Sequence, residues 1–140
     1  NQAARIYILK NGDIPETTKA CEQIGNSQYT EWCMDNIARQ IHPMAQGDIA
    51  KVLTLCEQTG VFWREFCIVV NAGAYYSVGD PETGIALCNQ PLTASAKSDC
   101  HQRLIGQLIP DVNLTREQKE KLCTKMEAGF SEQCMGLVTY

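Results

Sequence analysis

A chain of 140 residues fits one domain of ordinary size, and 44% hydrophobic with 20% charged residues is a globular composition, which excludes a disordered chain. The formal net charge of −4, without any run of like charges, argues against nucleic acid as a partner, and the longest apolar stretch, around Phe66 to Val70, is far below the roughly 18 residues of a membrane span. Eight cysteines form a high, even count that points to a disulfide framework and so to an oxidising, extracytoplasmic location: secreted, periplasmic or at the cell surface.

Residues 1–12 open the chain without a basic-then-apolar leader pattern; a mature chain would lack one, so this does not argue against secretion. Ala3-Ala4-Arg5 before Asn11-Gly12-Asp13 resembles Ile37-Ala38-Arg39 before Gln46-Gly47-Asp48. The segment is therefore expected as the back part of a helix from a preceding unit, which leaves apolar Ile6, Ile8 and Leu9 for a partner to cover. A first repeat, 13–47, starts at Asp13, a good helix N-cap with Glu16 at the third place as in a capping box. Its first helix carries Cys21, a polar turn follows at Gly25-Asn26-Ser27, and a second helix carries Cys33 and is expected to break at His42-Pro43.

A second repeat, 48–79, repeats the plan: Asp48 as cap, Cys56, a turn at Thr59-Gly60, Cys67, and an end at Val78-Gly79. Its β-branched run Ile68-Val69-Val70 is the strongest local argument for a strand, and the repeat outweighs it because tertiary context overrides propensity. Trp63 and Tyr75 are expected in the core, and Tyr76 is a candidate partner contact. A third repeat, 80–114, starts at Asp80 with Pro81 at the first helical position, carries Cys88, turns at Thr93-Ala94-Ser95, carries Cys100 and ends at Ile109-Pro110. A fourth, 115–140, has Thr115 and Gln118 as a second capping-box pair, then Cys123, a turn at Ala128-Gly129, and Cys134. Tyr140 lies only six residues past Cys134, so the last helix should be short. Both ends look cut: either the terminal repeats are altered into caps, as is usual in solenoids, or, the reading slightly preferred, the chain is a fragment or processed form of a longer array.

The cysteine pairs Cys21/Cys33, Cys56/Cys67, Cys88/Cys100 and Cys123/Cys134 are separated by 12, 11, 12 and 11, and their first members lie 35, 32 and 35 apart. Each cap residue stands eight before the first Cys of its pair. A period of about 34 is that of one helix–turn–helix unit. First helices of roughly 10–12 residues and second helices of roughly 12–15 are expected, marginal alone and dependent on packing. Positions four before and four after the second Cys share its helix stripe: Tyr29, Trp63, Ala96 and Phe130 before, Ile37, Asn71, Leu104 and Val138 after. Asn71 breaks the stripe.

The expected fold is all-α: four tandem helix–turn–helix repeats of about 32–35 residues, stacked as a small α-solenoid in one repeat domain. In an antiparallel hairpin, residues equally far from the turn face each other, so Cys21–Cys33, Cys56–Cys67, Cys88–Cys100 and Cys123–Cys134 should pair within hairpins. A bridge needs Cα atoms about 4.4–6.8 Å apart, which is met near the turn, where the helices converge. The layout resembles tetratricopeptide and Sel1-like α-solenoids, above all the secreted cysteine-rich Sel1-type proteins whose hairpins carry one disulfide each. The Sel1 motif of alanines and glycines is not present and the cysteine spacing is longer, so no residue role is carried over.

Little in the sequence suggests chemistry. There is no C-x-x-C, no zinc-finger spacing and no Gly-rich phosphate loop. His42 sits before Pro43, where it can serve a helix C-terminus, and His101 follows Cys100 without a nucleophile pattern. Asp99 beside His101 points to another helix face, and nothing selects two of the 16 acids as a catalytic pair. Asn113-Leu114-Thr115 is a glycosylation sequon, read more simply as the place where Thr115 caps a helix. We therefore expect no catalytic residue, cofactor or metal, and a protein-binding module or structural subunit of a larger extracytoplasmic assembly, whose partner is a protein or neighbouring subunit. The alternatives are an enzyme or enzyme inhibitor with an unrecognised pocket, or a thiol-based metal or redox protein.

Overall fold

The structure, a computed structural model, describes residues 13–138. Among the described residues there are eight helices and no strand: α1 (Ile14–Glu22), α2 (Ser27–Ala45), α3 (Ile49–Glu57), α4 (Arg64–Ser77), α5 (Pro81–Cys88), α6 (Ala94–Leu108), α7 (Arg116–Thr124) and α8 (Ala128–Val138). Ile68, Val69 and Val70 lie inside α4 and are buried. Their β-branched preference is worth only tenths of a kcal/mol, and burial of three aliphatic side chains exceeds it several times.

The caps decide where the odd-numbered helices begin. The side chains of Asp13, Asp48, Asp80 and Thr115 accept hydrogen bonds from the backbone N–H of Glu16 (3.0 Å), Lys51 (3.2 Å), Thr83 (3.2 Å) and Gln118 (3.2 Å). Each bond satisfies one of the N–H groups that a helix start leaves without a partner. At Thr115 the box is closed, since Gln118 Oε1 accepts from the Thr115 N–H at 2.8 Å. Glu16 instead turns forward to Lys19, 3.4 Å away. Asn26 and Thr93 serve as caps too: they accept from the N–H of Tyr29 (3.1 Å) and Ala96 (3.3 Å) and start α2 and α6.

Four disulfides, Cys21–Cys33, Cys56–Cys67, Cys88–Cys100 and Cys123–Cys134, join the helices of each consecutive pair, with Cα–Cα distances of 5.4–5.6 Å, and no cysteine is free. The first helices are shorter than the 10–12 residues expected, at 8 or 9. Each stops within a residue of its first Cys, because the chain must turn at once for two backbones to approach closely enough for a bridge.

His42-Pro43 does not break its helix: α2 continues to Ala45. Pro43 is exposed and sits within the last turn, so the missing N–H costs one solvent-side hydrogen bond. The stop lies at Gln46 and Gly47, both left-handed (φ 51° and 84°), with Gln46 N–H bonded to the His42 carbonyl at 3.3 Å.

The chain divides into two compact units, Asn1–Asn71 and Ala72–Tyr140, with the division falling inside α4. In the first unit, α2 packs on both α1 and α3. Ile14, Met34, Ile37, Ile41, Val52 and Ile68 fill its core. Asn71, the break in the apolar stripe, is fully buried there, and its Nδ2 donates to the carbonyls of Ala38 (3.0 Å) and Cys67 (2.8 Å). In the second unit, α5 packs on α6, α7 on α8, and α6 on α8. Tyr75, Ile85, Leu87, Leu104, Ile105, Leu108 and Leu122 are buried there. A Cβ on Gly84 would lie 2.7 Å from the Ala72 carbonyl oxygen, so glycine is what lets α5 approach α4 so closely.

Candidate interaction sites

The residue that follows the first cysteine of a hairpin links neighbouring turns within each unit. In the first unit, Trp63 donates its indole N–H to Glu22 Oε1 at 3.2 Å. In the second, the Asn89 amide donates to the Lys125 carbonyl (2.8 Å) and accepts from the Glu127 N–H (3.2 Å), and Lys97 pairs with the Glu127 carboxylate at 2.6 Å. These bonds bring the turn of one hairpin against the turn of the next.

The first unit's turn end is aromatic. Trp63 meets Phe62 and Phe66 edge-on at 5.1 and 5.4 Å, and Tyr29 meets Trp32 edge-on at 5.4 Å. Much of this surface is in water: Val61 is 98% exposed, Phe62 83%, Tyr29 53% and Trp32 46%. Tyr29 therefore does not occupy the core stripe that its spacing predicts, and Trp63 is half-buried instead of lying in the core. Trp63 precedes the start of α4, and Tyr29, in the first turn of α2, lies beside the turn that follows the early end of α1 at Glu22. Val61 and Phe62 went unrecognised by sequence reasoning, although the signal is present: Val61-Phe62-Trp63 follows Gly60, where Gly25 in the first hairpin is followed by polar Asn26-Ser27.

Tyr76, read from sequence as a partner contact, is half-buried, and its hydroxyl donates to Asp111 Oδ2 at 2.9 Å. Burial and the neighbouring carboxylate push the Tyr76 phenol well above its ordinary value. The Asp111 carboxyl is held below its usual range, first by the Asn113 backbone N–H (2.9 Å) and then by the Tyr76 hydroxyl. The pair lies at a cleft of about 610 Å³ lined also by Pro81, Gln107, Asn113 and Leu114. The sequon residue Asn113 is exposed, and the Thr115 hydroxyl is engaged as the α7 cap. Ile6, Ile8 and Leu9 lie outside the described residues.

His101 is fully buried on α6 and stacks on Phe130 with ring centroids 4.3 Å apart and planes 15° from parallel. Its ring nitrogens make no well-formed hydrogen bond, the Cys88 backbone offering only a weak one. Burial pushes its pKa down, against the Glu127 carboxylate and the Cys88 backbone, which favour the charged ring, while Lys97 reinforces the neutral form.

Among the described residues, no group of three or more His, Cys, Asp or Glu is placed to hold a metal, and no helix is long and apolar enough to cross a membrane. In comparisons with known proteins, no family model, no curated protein sequence and no solved structure matches the chain.

Proposed function

We propose that this protein acts by contact, as a non-catalytic binding module or structural subunit in an extracytoplasmic assembly, its four hairpins being successive units of one α-solenoid. The observation that carries the reading is the pair Val61 and Phe62, which stand 98% and 83% exposed in a turn. Leaving a phenylalanine in water forgoes about 2 kcal/mol of burial, and contiguous exposed apolar groups rimmed by polar ones are a mark of protein interaction sites. Aromatic residues are also the commonest anchors at interfaces. Four disulfides supply a framework suited to an oxidising space, where bridges persist.

The test is affinity purification from the native source with the wild type and with Val61→Ser/Phe62→Ser, retained proteins being identified by mass spectrometry. A defined partner held by the wild type and lost from the variant is the expected result. A partner held equally by both would remove this surface from the reading.

A further inference from the structure

The turn end of the first unit carries a charge as well as an apolar surface. Residues 22–31 and 57–66 contain four carboxylates, Glu22, Glu31, Glu57 and Glu65, and one cation, Arg64. Four minus one leaves a local charge of −3, most of the −4 of the whole chain. Glu22, Glu31 and Glu57 are exposed, on the last turn of α1, the first turns of α2 and the last turn of α3. The Glu22 to Trp63 bond places a carboxylate directly beside the aromatic group.

Resting on the contact reading above, we propose that this surface docks a cationic protein segment in which Lys or Arg alternates with aliphatic side chains. Three physical terms meet in such an occupant. Its aliphatic groups cover Val61 and Phe62. Its cations face the carboxylates, and they can also stand over the faces of Tyr29, Trp32 or Trp63, where the aromatic quadrupole attracts positive charge. Charge disfavours the competing occupants: two copies meeting at this end would oppose acids to acids, and an anionic membrane surface would repel it.

The chain has two tryptophans: Trp63 adjoins Phe62, and Trp32 is exposed beside Tyr29 near the start of α2, so intrinsic fluorescence reports on both aromatic clusters. The full chain, with its disulfides intact, is titrated with a helical peptide of lysine and leucine, with the same peptide carrying glutamate for lysine, and with vesicles of phosphatidylcholine or phosphatidylglycerol. The lysine peptide should give a saturable emission change that weakens as salt is added. Val61→Ser/Phe62→Ser should weaken it about tenfold or more, as loss of an interface anchor does. Glu31→Lys/Glu57→Lys should weaken it and flatten its salt dependence. All four positions are exposed, so circular dichroism should show the variants folded.

Three results would overturn the proposal: no saturable change with the lysine peptide, an equal response to the glutamate peptide, or unchanged lysine-peptide binding by Val61→Ser/Phe62→Ser. A vesicle response stronger than the peptide response would replace it with membrane docking. An equal response to both peptides, with a native partner still lost from Val61→Ser/Phe62→Ser, would leave the contact reading standing without the charge preference.

Discussion

His101 shows how one side chain can make stability depend on pH. The folded ring has the lower pKa, so the unfolded chain binds the extra proton first as the pH falls through the ordinary histidine value of 6.5. The contribution of the neutral, stacked ring is therefore intact above that value and declines below it. We expect the urea midpoint to fall between about pH 7.5 and about pH 5, and the fall to be smaller in His101→Leu, whose side chain cannot titrate. An equal fall in both proteins would place the sensitivity elsewhere. Asn71 is the other buried polar group with a clear role. Asn71→Leu, which keeps the branched heavy-atom shape, leaves the Ala38 carbonyl without its amide and should cost about 1–3 kcal/mol in denaturant unfolding. Residue-level reading of the sequence treats Asn71 as a defect in an apolar stripe, because spacing shows which face a residue occupies but not which carbonyl waits opposite it.

Helix starts were legible because they depend on local chemistry. A capping side chain bonds an N–H three residues away in the same segment, so Asp13, Asp48, Asp80 and Thr115 can be read from type and position alone. Helix ends were less legible. Pro43 reads as a breaker, yet α2 passes through it, because the cost of a proline depends on whether the freed carbonyl faces water, a tertiary property. Close approach between helices is equally hidden. Gly84 looks like an unfavourable helix residue until Ala72 is seen against it, and Gly84→Ala should destabilise the second unit by about 1–3 kcal/mol, measured by thermal or urea unfolding. If that variant were more stable than the wild type, as helix propensity alone predicts, α5 would have room to shift.

At the scale of the whole molecule, the bridges dominate the energetics. A loop closed over 11 or 12 residues contributes about 3 kcal/mol in the chain-entropy model, and four together reach about 12 kcal/mol, comparable to the total stability of an ordinary domain. Reduction with excess thiol at neutral pH should therefore abolish most far-ultraviolet helical signal at ambient temperature, and full retention would show that packing alone suffices. Removing one bridge, as in Cys88→Ala/Cys100→Ala, should lower stability by about 3 kcal/mol while the other three still map within their hairpins by non-reducing peptide analysis. The sequence by itself determined the helical class, the four hairpins, their caps and the pairing of every cysteine, because each rests on interactions within about 12 residues along the chain. Tertiary structure alone decided that Tyr29 and Trp63 stay partly in water while Tyr75 is buried as expected, that Glu22 meets Trp63 and Tyr76 meets Asp111, and that Val61 and Phe62 face water. Those outcomes depend on segments about 35 to 41 residues apart, whose meeting is set by packing rather than by local pattern.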